Sequence, residues 1–217
     1  MVAAYSASTS AIASPWIFTT TGKISQGYDY AGVFGAVGSI TGKSYSMSTI
    51  IDPKAYEIQD ASRPGQYSGS GHQSRKVAQQ VTVDGFVRAY EFVLDDDEWG
   101  NVQLTSIPNF LSGAYLNEGG NVNAQQKLFI SHFVYSKTNN FVKSLSYGAQ
   151  SFSYDVQVGD NQLATFYLTS FDYMRPQVNV YADISRISIT QADVPEPAPL
   201  VLMFAGMLAF AVRRRPG

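Results

Sequence analysis

Residues 76–94 read KVAQQVTV-DG-FVRAYEFVL, two β-branched and aromatic runs joined by Asp84-Gly85. Asp-Gly between such runs is the strongest hairpin signal in the chain. A two-residue type I′ turn needs φ > 0 at both central positions, which Asp tolerates and Gly adopts freely. The same logic extends outward in both directions. Residues 43–52 (KSYSMSTIID) set Tyr45, Met47, Thr49 and Ile51 against Ser44, Ser46, Ser48 and Ile50. That period of two predicts a half-buried strand ended by Asp52-Pro53.

Upstream, WIFTTTGKIS from Trp16 predicts a strand with a bend or bulge at Gly22. Residues 27–42 hold five glycines among aromatics and predict a turn-rich connection, not a phosphate loop, because the ordered strand, Lys and helix of a real one do not occur together. The Gly- and Ser-rich tract 59–75 predicts a polar loop. Downstream, residues 102–110 are weakly strand-like and broken at Pro108, whereas residues 111–126, with Gly113, Gly119, Gly120 and several Asn, predict a loop. KLFISHFVYSK at 127–137 has large apolar groups on both faces and predicts a central strand. Its His132 sits among Phe and Val with no partnering motif, which favours a hydrogen-bonded core histidine over a ligand or base. Residues 141–147, 151–158 and 163–173 continue the strand series. Gly159-Asp160-Asn161 suggests a second hairpin, and residues 178–190 alternate with a shift of phase near Ser185-Arg186.

Composition agrees. The chain has 217 residues with 14 Tyr, 13 Phe and 18 Gly, and only 15% charged residues. Aromatic and β-branched residues fit a pleated surface and Gly serves turns. The expected fold is all-β, an antiparallel β-sandwich or jelly roll. No cysteine is present, which excludes thiol catalysis and thiolate metal sites. Up to residue 194 the chain carries 12 Lys and Arg against 16 Asp and Glu, that is 15 − 3 and 17 − 1 once the tail is set aside. A mildly acidic domain without a basic run offers nucleic acid little purchase.

The tail is built differently. Val194, Pro195, Glu196 and Pro197 are followed by an uncharged run from Leu200 to Val212 (LVLMFAGMLAFAV), then by Arg213, Arg214 and Arg215. An apolar run with no polar face needs lipid or a partner, and is expected to form a single short transmembrane helix. Its 13 residues reach roughly 20 Å against a hydrocarbon core of about 30 Å, which suits a temporary hold better than a permanent anchor. The arginines resist translocation and would keep the C-terminus cytoplasmic.

This order of parts resembles the PEP-CTERM sorting signal of Gram-negative bacteria. The resemblance implies that exosortase, a membrane-embedded processing enzyme, is the partner that reads the tail. It further implies an exported cargo, held transiently at the cytoplasmic membrane, in bacteria that make extracellular polysaccharide. The segment Ile24-x-x-Gly27-x-Asp29, Gly32-Val33-Phe34-Gly35 and Thr41-Gly42-x-x-Tyr45 also resembles the opening of many PEP-CTERM proteins, and implies no activity. Residues 1–14 are rich in Ala and Ser but lack a basic n-region, and are expected to be the remnant of a signal peptide. The organisation expected is therefore 1–14 signal remnant, 15–193 β ectodomain and 194–217 sorting segment.

Chemistry in the ectodomain is sparse. Asp95, Asp96, Asp97 and Glu98 need solvent or a cation, so calcium is the one metal to consider, without the ligand spacing of an EF-hand. No nucleophile elbow or His-rich motif occurs. Trp16 and Trp99 are candidate sugar-stacking residues. The expected role is a non-enzymatic surface or matrix protein associated with exopolysaccharide and biofilm. A carbohydrate-binding module and a secreted hydrolase are the alternatives.

Overall fold

The computed structural model describes residues 15–51, 57–58, 66–71, 75–94, 100–107, 109–143, 151–170 and 176–191. Among these residues thirteen strands follow in order: β1 Trp16–Asp29, β2 Gly38–Ser39, β3 Ser44–Ile51, β4 Glu57–Ile58, β5 Gln66–Gly71, β6 Arg75–Val83, β7 Phe86–Leu94, β8 Gly100–Ile107, β9 Leu111–Asn123, β10 Gln126–Ser136, β11 Phe152–Asp155, β12 Asn161–Ser170 and β13 Pro176–Gln191. Every pairing is antiparallel, and all the strands belong to one sheet. The all-β expectation holds, but one curled sheet provides the two packed faces rather than two separate ones.

The sheet closes on itself. Strands β1, β3, β6, β7, β9, β10, β12 and β13 neighbour one another in that order, and β13 returns to β1 along Trp16↔Gln191 to Asp29↔Val178. The ring is completed by Val93↔Asn121 between β7 and β9. Long strands therefore go up and down in chain order, the simplest way to make a barrel without open edges. At β9 the sheet forks: residues 111–117 pair with β8, which continues the sheet through β5 to β4 as a branch off the ring.

Alternation decides which side chains fill the barrel. Tyr45, Met47, Thr49 and Ile51 are buried as the period of two predicts, and Phe18, Val81, Phe92, Ile130, Phe166 and Val180 join them from other strands. Phe34 packs against Phe166 at 5.9 Å between ring centroids, and Tyr90 meets the same ring at 5.9 Å. Both predicted irregularities appear at one place. Thr21 faces Arg186 while Gly22 faces Ile184, so Ser185 is the extra residue of a bulge. A Cβ on Gly22 would lie 1.9 Å from the Asp183 carbonyl oxygen, which is why a glycine stands there. The Asp84-Gly85 turn has φ of 50° and 86° at its two centres, as the hairpin requires.

Four expectations change. Residues 111–123 are a thirteen-residue strand, not a loop. Its glycines are needed because aromatic rings from β10 lie over them: a Cβ on Gly113 would sit 2.0 Å from Tyr135. Part of the 59–75 tract pairs as β5 with β8. Residues 141–143 are not a strand. The turn at Gly159 exists, with φ 95°, but joins no hairpin. Strands β11 and β12 instead lie one after the other along the same edge of β13, at Asp155↔Arg186 and Ala164↔Ala182. No helix occurs among the described residues, none of which forms a span long and apolar enough to cross a membrane as a helix. The segment expected to be a transmembrane helix, Leu200 to Val212, lies outside them.

Candidate functional site

Inside the barrel, polar groups meet at mid-height. Thr20 on β1 and His132 on β10 are fully buried, and Thr20 Oγ1 lies 2.7 Å from His132 Nδ1. His132 also lies against Phe18, with ring centroids 5.8 Å apart. Burial lowers its pKa to about 3, so the ring is neutral at ordinary pH. Thr49 donates to the Gln79 side-chain oxygen between neighbouring strands. Tyr45 is pushed above its usual range by burial, with the Thr20 hydroxyl opposing the shift. Buried Glu118, itself engaged, completes the polar set. These groups are buried, and their mutual bonds specify the packing of the core.

One end of the barrel is plugged. Asp29 is fully buried at the end of β1, and its carboxylate accepts the backbone N–H groups of Ala31 (3.2 Å), Val33 (2.9 Å) and Phe34 (2.6 Å). That cradle drives Phe34 into the interior. Gly32 and Gly35 bend the chain at φ 71° and 119° to allow it. Gly27 is pinned between Ile24 and Ile40, whose carbons would lie within 2.9 Å of an added Cβ. Gly42 N–H donates to the Ile24 carbonyl at 2.7 Å. The Ile24–Asp29, Gly32–Gly35 and Thr41–Tyr45 pattern is thus a lid built into the fold.

The outer surface carries a row of different character. Reading across strands at one height, Ser39, Tyr28, Asn179, Tyr167, Phe129 and Gly119 are successive partners on β2, β1, β13, β12, β10 and β9. Each points outward, because its neighbours Asp29, Val178, Val180, Phe166, Leu168, Leu128 and Ile130 point in. Tyr28 is 41% exposed and Tyr30 50%, with ring centroids 4.5 Å apart. Phe129 is 41% exposed and meets Tyr167 at 6.2 Å, and Tyr167 meets Tyr181 edge-on at 5.6 Å. Burial raises the Tyr167 hydroxyl above its usual range, and its hydrogen bond with Tyr181 acts in the same direction. At the β1 end of the row lies a depression of about 300 Å³ lined by Gln26, Tyr28, Tyr30, Ser39, Thr41 and Asn179.

The residues expected to bind or react fare differently. Trp16 is 0% exposed, packed in the core where the first strand enters the barrel, so it offers no face to a ligand. Trp99, the acidic set Asp95, Asp96, Asp97 and Glu98, and the tail residues Val194 to Pro197 and Arg213 to Arg215 lie outside the described residues. Among the described residues no group of three His, Asp or Glu side chains could hold a metal ion. The outer row escaped the sequence reading, which looked to tryptophan. Its signal was the outward phase of Phe129, Tyr167 and Tyr181 in alternating strands.

The described residues thus form one antiparallel barrel with a buried polar core and an outer row of aromatic and neutral polar side chains. The tail supplies the address: residues 193–215 match the family model of the PEP-CTERM protein-sorting motif. The chain thus carries a PEP-CTERM sorting signal, which implies recognition by exosortase and export. No curated protein and no solved structure matches the chain.

Proposed function

We propose that this protein is a non-enzymatic component of the exopolysaccharide layer, exported, held briefly in the cytoplasmic membrane by its tail and released by exosortase at the cell surface. The sorting motif at 193–215 carries the reading. It follows two residues after Gln191, the end of a strand hydrogen-bonded to β1 along its length. Trp16 and Gln191 are register partners, so chain entry and tail exit share one end of the barrel. A folded domain with its tail at one end can be delivered whole, and cutting the tail leaves the barrel strands intact.

The test is to replace Pro195, Glu196 and Pro197 together with alanine and follow the protein by fractionation. The expected result is an uncut precursor retained in the cytoplasmic membrane. Unchanged processing and release would overturn the sorting reading. For the second half of the proposal, processed wild-type protein should co-sediment with the exopolysaccharide fraction. Recovery only as free protein in the medium would overturn it.

A further inference from the structure

The geometry points to a binding site for an uncharged polysaccharide on the outer face of the barrel, along the row Tyr28, Asn179, Tyr167 and Phe129. This inference rests on the exopolysaccharide reading above and names the surface and ligand class. Three observations carry it. The row is a mixture of ring faces and neutral polar groups. Tyr28, Tyr30, Tyr167 and Phe129 supply apolar surface, while Gln26, Ser39, Thr41 and Asn179 line the depression beside Tyr28. Hydroxyls and amides both donate and accept, which suits the hydroxyls of a sugar, and ring faces suit its C–H faces.

Charge argues in the same direction. The row holds no charged side chain, and the next outward row on β1 and β13 sets Gln26 opposite Tyr181; beyond it Lys23 stands opposite Asp183, and Lys127, two residues from Phe129 on β10, is itself engaged. A polyanion would gain little from charges that are offset or engaged, and the 12 to 16 balance of basic and acidic residues before the tail opposes it further. A neutral, hydroxyl-rich chain loses nothing.

The row crosses β1, β13, β12 and β10 at the strand spacing of about 4.8 Å, so successive positions form stations on a path that bends with the barrel wall. Beyond Phe129 the row ends at Gly119, over which the Phe129 ring lies. Asn179, midway, has its side-chain oxygen buried between the flanking rings without a partner, a polar group that lacks a donor. Pre-set rings and short polar groups bind with little ordering cost.

Isothermal titration of the purified full-length chain with cellohexaose, a neutral β-glucan fragment, and with polygalacturonate tests the site. The expected result is binding of cellohexaose and none of polygalacturonate. Tyr28→Ala and Tyr167→Ala should each weaken binding about five- to tenfold, the scale of one lost stacking contact. Tyr167→Phe, which keeps the ring, should retain most of it, and Phe110→Ala, exposed but off the row, should be unchanged. Thermal melts of each variant confirm folding. Binding that ignores both tyrosine substitutions, binding of the polyanion alone, or no glycan binding overturns the inference. The chain with alanines at 195–197 should bind cellohexaose like wild type, so failed sorting and a failed binding site give different results.

Discussion

Thr20 and His132, 112 positions apart in the chain, are joined by a 2.7 Å hydrogen bond across the inside of the barrel. The His132 Nε2 atom is buried with no partner of its own, so among the described residues the ring is hydrogen-bonded through Thr20. Thr20→Val removes that partner and leaves a second orphaned ring nitrogen. The expected loss is about 1–3 kcal/mol in urea denaturation. Added to His132→Leu, the same change should cost far less, because both polar groups are then gone; simple additivity would show that the bond does not couple the strands.

The pH dependence follows from the same ring. The folded-state pKa of His132 is lowered by burial to about 3 against an ordinary value of 6.5. The unfolded chain therefore binds a proton between those values that the folded chain does not. Stability from this group is complete above about 6.5 and falls as pH drops toward about 3, at up to about 1.4 kcal/mol per pH unit. His132→Gln should flatten the stability profile in that window. Parallel profiles for variant and wild type would mean that the ring titrates equally well in both states.

Asp29 organises the lid. Asp29→Ala leaves the buried N–H groups of Val33 and Phe34 without an acceptor, with an expected cost of about 2–4 kcal/mol. Hydrogen exchange checks the mechanism: protection should vanish first at Val33 and Phe34 and persist on β13. Uniform loss over the barrel would show that Asp29 acts on global stability instead of the lid.

Two glycines should respond differently to alanine. At Gly22 the new Cβ meets the Asp183 carbonyl oxygen at 1.9 Å, so the β1–β13 bulge must move, at roughly 1–3 kcal/mol. At Gly85 nothing lies within 4 Å and only the positive φ of 86° is penalised, about 1 kcal/mol. Thermal denaturation of both variants should rank Gly22→Ala as the worse. The reverse order would remove the steric account of the bulge.

Local chemistry made much of the barrel legible. The Asp84-Gly85 hairpin, the inward set from Tyr45 to Ile51 and the irregularities at Gly22 and Ser185 depend on neighbours within a few residues, or on a period of two. The central place of β10 and the buried role of His132 also followed from its local surroundings. Strand β9 was not legible. Gly113 and Gly119 lower strand propensity when read alone, yet the rings of Tyr135 and Phe129 on the next strand require them. The second hairpin failed for a related reason: the edge of β13 is shared by β11 and β12, and a turn residue says nothing about which strand its flanks will pair with.

By itself the sequence determined that this is an all-β chain with an exosortase-type address, because alternation, turn chemistry and an uncharged run beside three arginines are properties of adjacent residues. Only the tertiary structure decided that the strands close into one ring, that Phe34 plugs an end of it, and that Tyr28, Asn179, Tyr167 and Phe129 stand in line. Closure and alignment are set by register between strands up to 175 residues apart, as at Trp16↔Gln191. Register is the outcome of burying every inward face at once, and no single segment holds that information.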